Sequence, residues 1–195
     1  HVSTGTVRLI ARTKALLRAK KIPRMPFAIP RIKRVSLVYY QLFNLTTVGG
    51  TATQVFHGNG PYDPDVTGVG SQPTGFDQWG AFYKRYVVHG SKMSVQLHNG
   101  DVVPTFLGVS ANLSSTVSTV PADYMTNPMM KGVWTDSTGN PNATRTITMF
   151  QSCSDMLGLK DVMDDADASA EFSANPTRPW HWCILVQNTD AGNVA

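Results

Sequence analysis

The sequence predicts an all-β fold: an eight-stranded jelly-roll sandwich behind a basic, partly helical N-terminal arm. Three observations predict it. Ten Lys and Arg and no acid stand in residues 1–34, against seven basic and thirteen acidic residues in the remainder. The net charge of +4 therefore divides into +10 on a short arm and −6 on a body. Beyond Lys33 the chain alternates β-branched and aromatic runs with long connections rich in Asn, Ser, Thr, Pro and Gly. Helical periodicity is scarce outside the arm. Strands separated by long loops suit two packed sheets. An immunoglobulin-type sandwich is disfavoured, because neither Cys has the spacing to pair across sheets around a core Trp.

Residues 1–33 form the arm and residues 34–195 the sandwich domain. From Ser3 to Lys21 the arm is dominated by Ala, Leu, Arg and Lys, which favour helix, with Ser3 or Thr4 as N-cap. Pro23, Pro26 and Pro30 then impose an extended, polyproline-like connector. A concentrated basic segment on a mildly acidic body points to a polyanion. Nucleic acid is favoured over anionic lipid, since the arm holds no Trp and its apolar face (Val7, Ile10, Leu17) is narrow. The residues expected to meet phosphates are Arg8, Arg12, Lys14, Arg18, Lys20, Lys21, Arg24, Arg31, Lys33 and Arg34.

RVSLVYYQLFNLTTV (34–48) reads as the first strand, ended by Gly49-Gly50, and TATQVF as the second. Residues 57–74 are rich in Gly and Pro and form a loop. In GFDQWGAFYKRYVVHGSKMSVQL, aromatics spaced by three and four predict a short helix over 76–84. There Trp79, Phe82 and Tyr83 would plug an open end of the sandwich. The second half predicts one long strand, with Gly90 marking a bulge or close backbone approach. VVPTFLGVSANLS, KGVWTD, TRTITMFQ and WHWCILVQN supply four more strands, separated chiefly by the long connections 114–130 and 152–178. That makes seven. TDAGN reads as a hairpin turn after which Val194-Ala195 would open an eighth. A start at His1 rather than Met is expected of a processed or trimmed product.

Catalytic chemistry finds little support in the sequence, and the chain is expected not to be an enzyme. His57, His89, His98 and His181 are scattered, none in an HExxH or GxSxG context, so no catalytic residue is assigned. Cys153 and Cys183 belong to no ligand spacing and read as buried free thiols. Two acidic loops carry oxygen donors of the kind Ca²⁺ takes: Asp63 and Asp65 in PYDPD, and Asp164, Asp165 and Asp167 with Glu171 in DDADASAE. Neither has EF-hand spacing, so a solvated acidic loop is the favoured reading and no cofactor is implied. No apolar run reaches the ~18 residues of a membrane span.

The stretch from Gln72 to Asn99 resembles the capsid proteins of circovirus-like circular single-stranded DNA viruses, the group that encodes a replication initiator. The family's Gly-aromatic-Asp-Gln-Trp turn stands here as Gly75, Phe76, Asp77, Gln78 and Trp79. Its Tyr-x-x-Tyr-x-Val-x-Gly-Ser-Lys strand stands as Tyr83, Tyr86, Val88, Gly90, Ser91 and Lys92. A looser likeness covers Leu157-Gly158, the acidic pair Asp164-Asp165, Asn175-Pro176 and Trp180-x-Trp182. The resemblance implies a coat protein that self-assembles into an icosahedral shell and packages single-stranded DNA through its arm. It also implies identical subunits as partners, no membrane, and a place in the virion and, during assembly, the host nucleus, with the arm as a candidate nuclear-targeting segment. The arm is less uniformly arginine-rich than in many relatives. A coat of a small RNA or satellite virus and, from another class, a non-viral carbohydrate-binding sandwich are the alternatives. The sequence does not identify a host receptor.

Overall fold

The computed structural model describes residues 29–48, 50–68 and 70–189. The expected arm helix and the strand expected from Val194 lie outside the described residues. The chain divides into a unit ending at Val35 and one beginning at Ser36, and the sandwich is the second. Its strands in chain order are β1 (Thr51–His57), β2 (Arg85–Val87), β3 (Gly90–His98), β4 (Thr105–Asn112), β5 (Met130–Thr135), β6 (Thr144–Ser152), β7 (Ser169–Glu171) and β8 (His181–Asn188). Among the described residues three short α-helices intervene, α1 (Phe76–Gly80), α2 (Pro121–Thr126) and α3 (Cys153–Leu157), with one 3-10 turn at Val162–Asp164.

Four strands form one antiparallel sheet in the order β1-β8-β4-β5. β3 and β6 pair along their whole length as the facing layer. Between the layers sit Phe56 of β1, Leu107, Val109 and Ala111 of β4, Trp182, Ile184 and Val186 of β8, and Ile147 and Met149 of β6. Met93, Val95 and Leu97 of β3 close over this core. The period-two patterns of β3 and β6 place one apolar row inward, and the alternate residues Lys92, Ser94, Gln96, Thr146 and Thr148 lie exposed. β4 and β8 instead read as near-continuous apolar runs, and both faces are covered. Their outer side carries Phe106 and Leu185, packed beneath Tyr124 of α2. The all-β sandwich of the sequence reading is therefore the fold.

Three local expectations differ from what forms. The run 34–48 is not a ladder strand. It is extended, with Leu37, Tyr39, Gln41, Phe43 and Leu45 half-buried and their neighbours exposed, and its one β-bridge among the described residues joins Val48 to Thr51. The strand expected over 86–97 breaks at Val88-His89, so β2 pairs with β7 and β3 with β6. At Gly90 a Cβ would lie 2.9 Å from the Gln151 carbonyl oxygen and 3.0 Å from the Phe150 ring, so the glycine permits a close backbone approach. The long connections also hold unforeseen structure. Pro121 begins α2 at a position that suits its missing N–H. Ser152 caps α3 by accepting from the Asp155 amide, and Gly158 ends it in the left-handed region.

The aromatic plug is built from other residues than expected. Gly75 adopts φ +90°, a conformation glycine tolerates without Cβ strain, and turns the chain into α1. That turn buries Phe76, which packs 5.3 Å edge-on from Tyr86 and 4.9 Å from Phe172. Trp79 and Tyr83 are only half-buried and stack on each other, while Phe82 is exposed. Phe172 came from the β7 side of the chain, where no sequence period announced it.

Candidate functional site

Arg31, Lys33 and Arg34 are exposed. The other arm residues expected to meet phosphates, Arg8, Arg12, Lys14, Arg18, Lys20, Lys21 and Arg24, lie outside the described residues. The described surface therefore consists mainly of the sandwich, its loops and the two acidic segments.

The acidic loops turn out to be internally wired. Asp65 is buried, and its carboxylate accepts from Gln41 Nε2 at 3.1 Å, Gln54 Nε2 at 3.0 Å, the Thr67 amide at 2.9 Å and the Thr67 hydroxyl at 2.7 Å. Tyr39 in turn donates its hydroxyl to Gln41. Burial works against the Asp65 charge, but these donors outweigh it and hold the carboxyl below its usual range. Neutral donors thus stand where a cation was considered, and they tie segment 36–48, β1 and the loop together. Asp63 contributes its backbone: its amide donates to Asn175 Oδ1, and its carbonyl accepts from Asn175 Nδ2 at 3.0 Å.

Asn175, singled out with Pro176 in the sequence, therefore joins the loop after β1 to the loop before β8. Asn59 reinforces the junction. It donates to the Arg178 carbonyl and accepts from the Trp180 amide. Gly58 lies so close to the Trp180 ring that a Cβ would fall 2.3 Å from it.

The second acidic segment behaves similarly. Asp165 accepts from the amides of Asp167 and Ala168 and pairs with Arg178 at 2.9 Å. The Asp167 amide leads, with Arg178 assisting, in holding its carboxyl below the usual range. Glu171 faces Lys84 at 4.0 Å. Among the described residues no group of three or more His, Cys, Asp or Glu is arranged to hold a metal ion.

The histidines do separate structural work. His57 and His181 face each other across the β1–β8 pair with ring centroids 5.3 Å apart. His181 is buried, and burial together with His57 lowers its pKa. His98 bonds the Thr144 hydroxyl on the open face of β3–β6. Both thiols are buried and free, and burial raises their pKa. Cys153 accepts from the Trp180 indole N–H at 3.1 Å.

What the described surface does offer is apolar contact area. Val38, Tyr40 and Leu42 project from one side of segment 36–48, each at least 77 % exposed. Val102, Leu113 and Val120 are exposed on loops, Met125 is exposed on α2, and Phe150 at 67 % stands out of the otherwise polar face of β6. A row of exposed apolar groups such as Val38, Tyr40 and Leu42 marks a contact surface. No helix among the described residues is long and apolar enough to cross a membrane.

No family model matches the chain, and no curated protein matches it. Among solved structures, a chain of Desmodium yellow mottle tymovirus aligns with it at 9 % identity and a TM-score of 0.28, covering 80 % of this chain and 95 % of that one.

Proposed function

We propose that the chain is a viral coat protein whose sandwich tiles a closed icosahedral shell and whose residues 1–33 hold the genome. The observation that carries the reading is the division of charge: ten basic residues and no acid in residues 1–34, ahead of a body holding only twenty charged residues. A monomeric soluble surface normally carries more charge than that body does, and it exposes Val38, Tyr40 and Leu42 in one row. Weak charge with exposed apolar rows suits extensive subunit contacts. The likeness of Gln72–Asn99 to circovirus-like capsid proteins supports single-stranded DNA as the cargo, and with it assembly in the host nucleus.

In this reading Arg8, Arg12, Lys14, Arg18, Lys20, Lys21, Arg24, Arg31, Lys33 and Arg34 neutralise phosphates without reading sequence. The plug around Phe76 and the junction around Asn175 hold the loops rigid for contact with neighbouring subunits. The chain performs no catalysis and takes no cofactor.

Electron microscopy of the purified protein tests this directly: hollow or filled particles of uniform size are expected, and a lasting small monomer overturns it. Nuclease sensitivity of the packaged material separates DNA from RNA. For single strands, log K should fall against log salt with a slope of about −5 to −7, from ~0.7 per phosphate contact. Removal of residues 1–33 should abolish that binding and leave the sandwich folded.

A further inference from the structure

The open face of β3 and β6 is built from alternate residues of two paired strands. Lys92, Ser94, Gln96 and His98 of β3 stand opposite Phe150, Thr148, Thr146 and Thr144 of β6, and all are exposed. At about 3.3 Å per residue, the row from Lys92 to His98 is roughly 20 Å long.

Charge on these strands runs against that of the body around them. Three of the seven basic residues beyond Arg34 (Lys92, Lys131 and Arg145) lie on β3, β5 and β6, and none of the thirteen acids does. A body of net −6 thus carries +3 on these three strands. The ion pairs among the described residues, Lys84–Glu171 and Arg178–Asp165, involve none of the three. Lys92 points into water from the open face, and Lys131 reaches β6 from β5, donating to the Thr148 carbonyl at 3.2 Å. Cations without a carboxylate partner attract an anion from outside the chain.

Phe150 stands between the two lysines. Lys92 is its cross-strand partner, and Thr148, which Lys131 holds, lies two residues before it. The ring is 67 % exposed, yet it has a defined seat. A Cβ at position 90 would fall 3.0 Å from its Cζ and 3.2 Å from its Cε2, so the bare backbone of Gly90 makes room for it. Next to Gly90, Ser91 accepts from the Trp182 indole N–H at 2.8 Å, which pins this part of β3 to the core. A seated apolar ring with its outer surface in water is a stacking platform, and the flanking cations suit a phosphate backbone.

We propose that the open face of β3 and β6 binds single-stranded nucleic acid, with a base stacked on Phe150 and adjacent phosphates met by Lys92 and Lys131. Ser94, Gln96 and Thr146 continue the track with hydroxyl and amide groups. A sulfated glycan would use the cations and leave the ring idle, and a neutral sugar would do the reverse. A nucleic-acid strand uses both. A duplex keeps its bases stacked within itself, so the strand is single. The proposal rests on the coat-protein reading for its cargo, and it adds a contact separate from residues 1–34.

Fluorescence anisotropy tests it on the full 195-residue chain, freed of nucleic acid and dilute enough to stay unassembled. The probes are a labelled thymidine decamer, an abasic decamer with the same sugar-phosphate chain, and heparin. Phe150→Ala should weaken the thymidine decamer by about fivefold or more, the worth of one stacked base, and leave the other two probes unchanged. Phe150→Tyr should keep the original affinity. Lys92→Gln should flatten the salt slope by about 0.7, one phosphate contact. Unchanged affinity for the thymidine decamer in Phe150→Ala overturns the proposal, and if particles are lost with it the ring is a subunit contact. Equal loss on all the probes overturns it as well. Heparin weakened more than the decamer does the same, assigning the face to a sulfated glycan. Electron microscopy keeps the two readings apart. Particles without the base-dependent loss retain the coat protein and reject this site, and the loss without particles retains the site and rejects the coat protein.

Discussion

Along β4 and β8 both faces are buried, whereas β3 and β6 keep one face in water. The covered sheet needs a second small core, in which Tyr124 lies against Gly108 and Phe106. The open layer needs none and presents Thr, Ser and Gln instead. The lesson concerns where stability and contact are lodged. The two-sided sheet holds the domain together, while the half-open layer and segment 36–48 are left to meet other surfaces.

The sharpest way to break that comparison is at Trp180, which is fully buried, stacks edge-on with Trp182 and reaches Cys153. Trp180→Ala should lower unfolding free energy by about 3–5 kcal/mol, and Val95→Ala on half-buried β3 by about 1 kcal/mol, measured by denaturant titration. Equal losses would erase the distinction. Phe76→Ala should likewise cost about 3–5 kcal/mol, with half-buried Trp79→Ala costing roughly half as much. The reverse order would restore Trp79 as the plug.

Gly132 tests the small core more gently. A Cβ there would stand 2.3 Å from Phe106 Cζ, so Gly132→Ala should cost about 1–3 kcal/mol by overpacking.

Acid should act in two stages. The pKa of His181 is lowered in the folded state, so its contribution is complete above the unfolded value of about 6.5 and fades as pH falls through the folded value. The lowered Asp65 carboxyl adds a second loss, beginning below its unfolded value of about 3.9. Thermal melting against pH should show both steps, and His181→Phe should remove the first.

The smallest stability effect belongs to the outer row. Tyr40→Asp with Leu42→Asp should shift unfolding by no more than about 0.5 kcal/mol each, yet sedimentation should show particles lost. Particles that form unchanged would move the contact surface elsewhere.

Much of the sandwich was legible because burial writes itself into the period. TFLGVSAN and HWCILVQN each carry a central run that is nearly all apolar and became the two-sided strands, and TRTITMFQ alternated and became a one-sided one. Segment 34–48 also alternated, and its alternation is real, but a period reports faces and not hydrogen-bond partners. The split at Val88-His89 was hidden because β2 and β3 share one apolar composition while pairing with different strands. The Asp65 site was half visible. PYDPD flagged the carboxylates, but Gln41 and Gln54 reach it from distant positions with no spacing rule to find them. Asn175 was marked by its place in a motif, and only the fold showed that it fastens two loops.

The position of β8 sets the order of events when the chain is made. Thr51 faces Gln187 and His57 faces His181, so the first ladder strand waits for the last. Because β8 also lies between β1 and β4, the middle of the covered sheet is synthesised after its edges. Such distant pairings are slow to close. Until residues 181–188 leave the ribosome, β1 and β4 have no common partner, and the edge of β4 that β8 covers stays open although β5 can already pair with its other edge. The covered sheet can therefore close only once its last described strand, β8, is available to join β1 to β4.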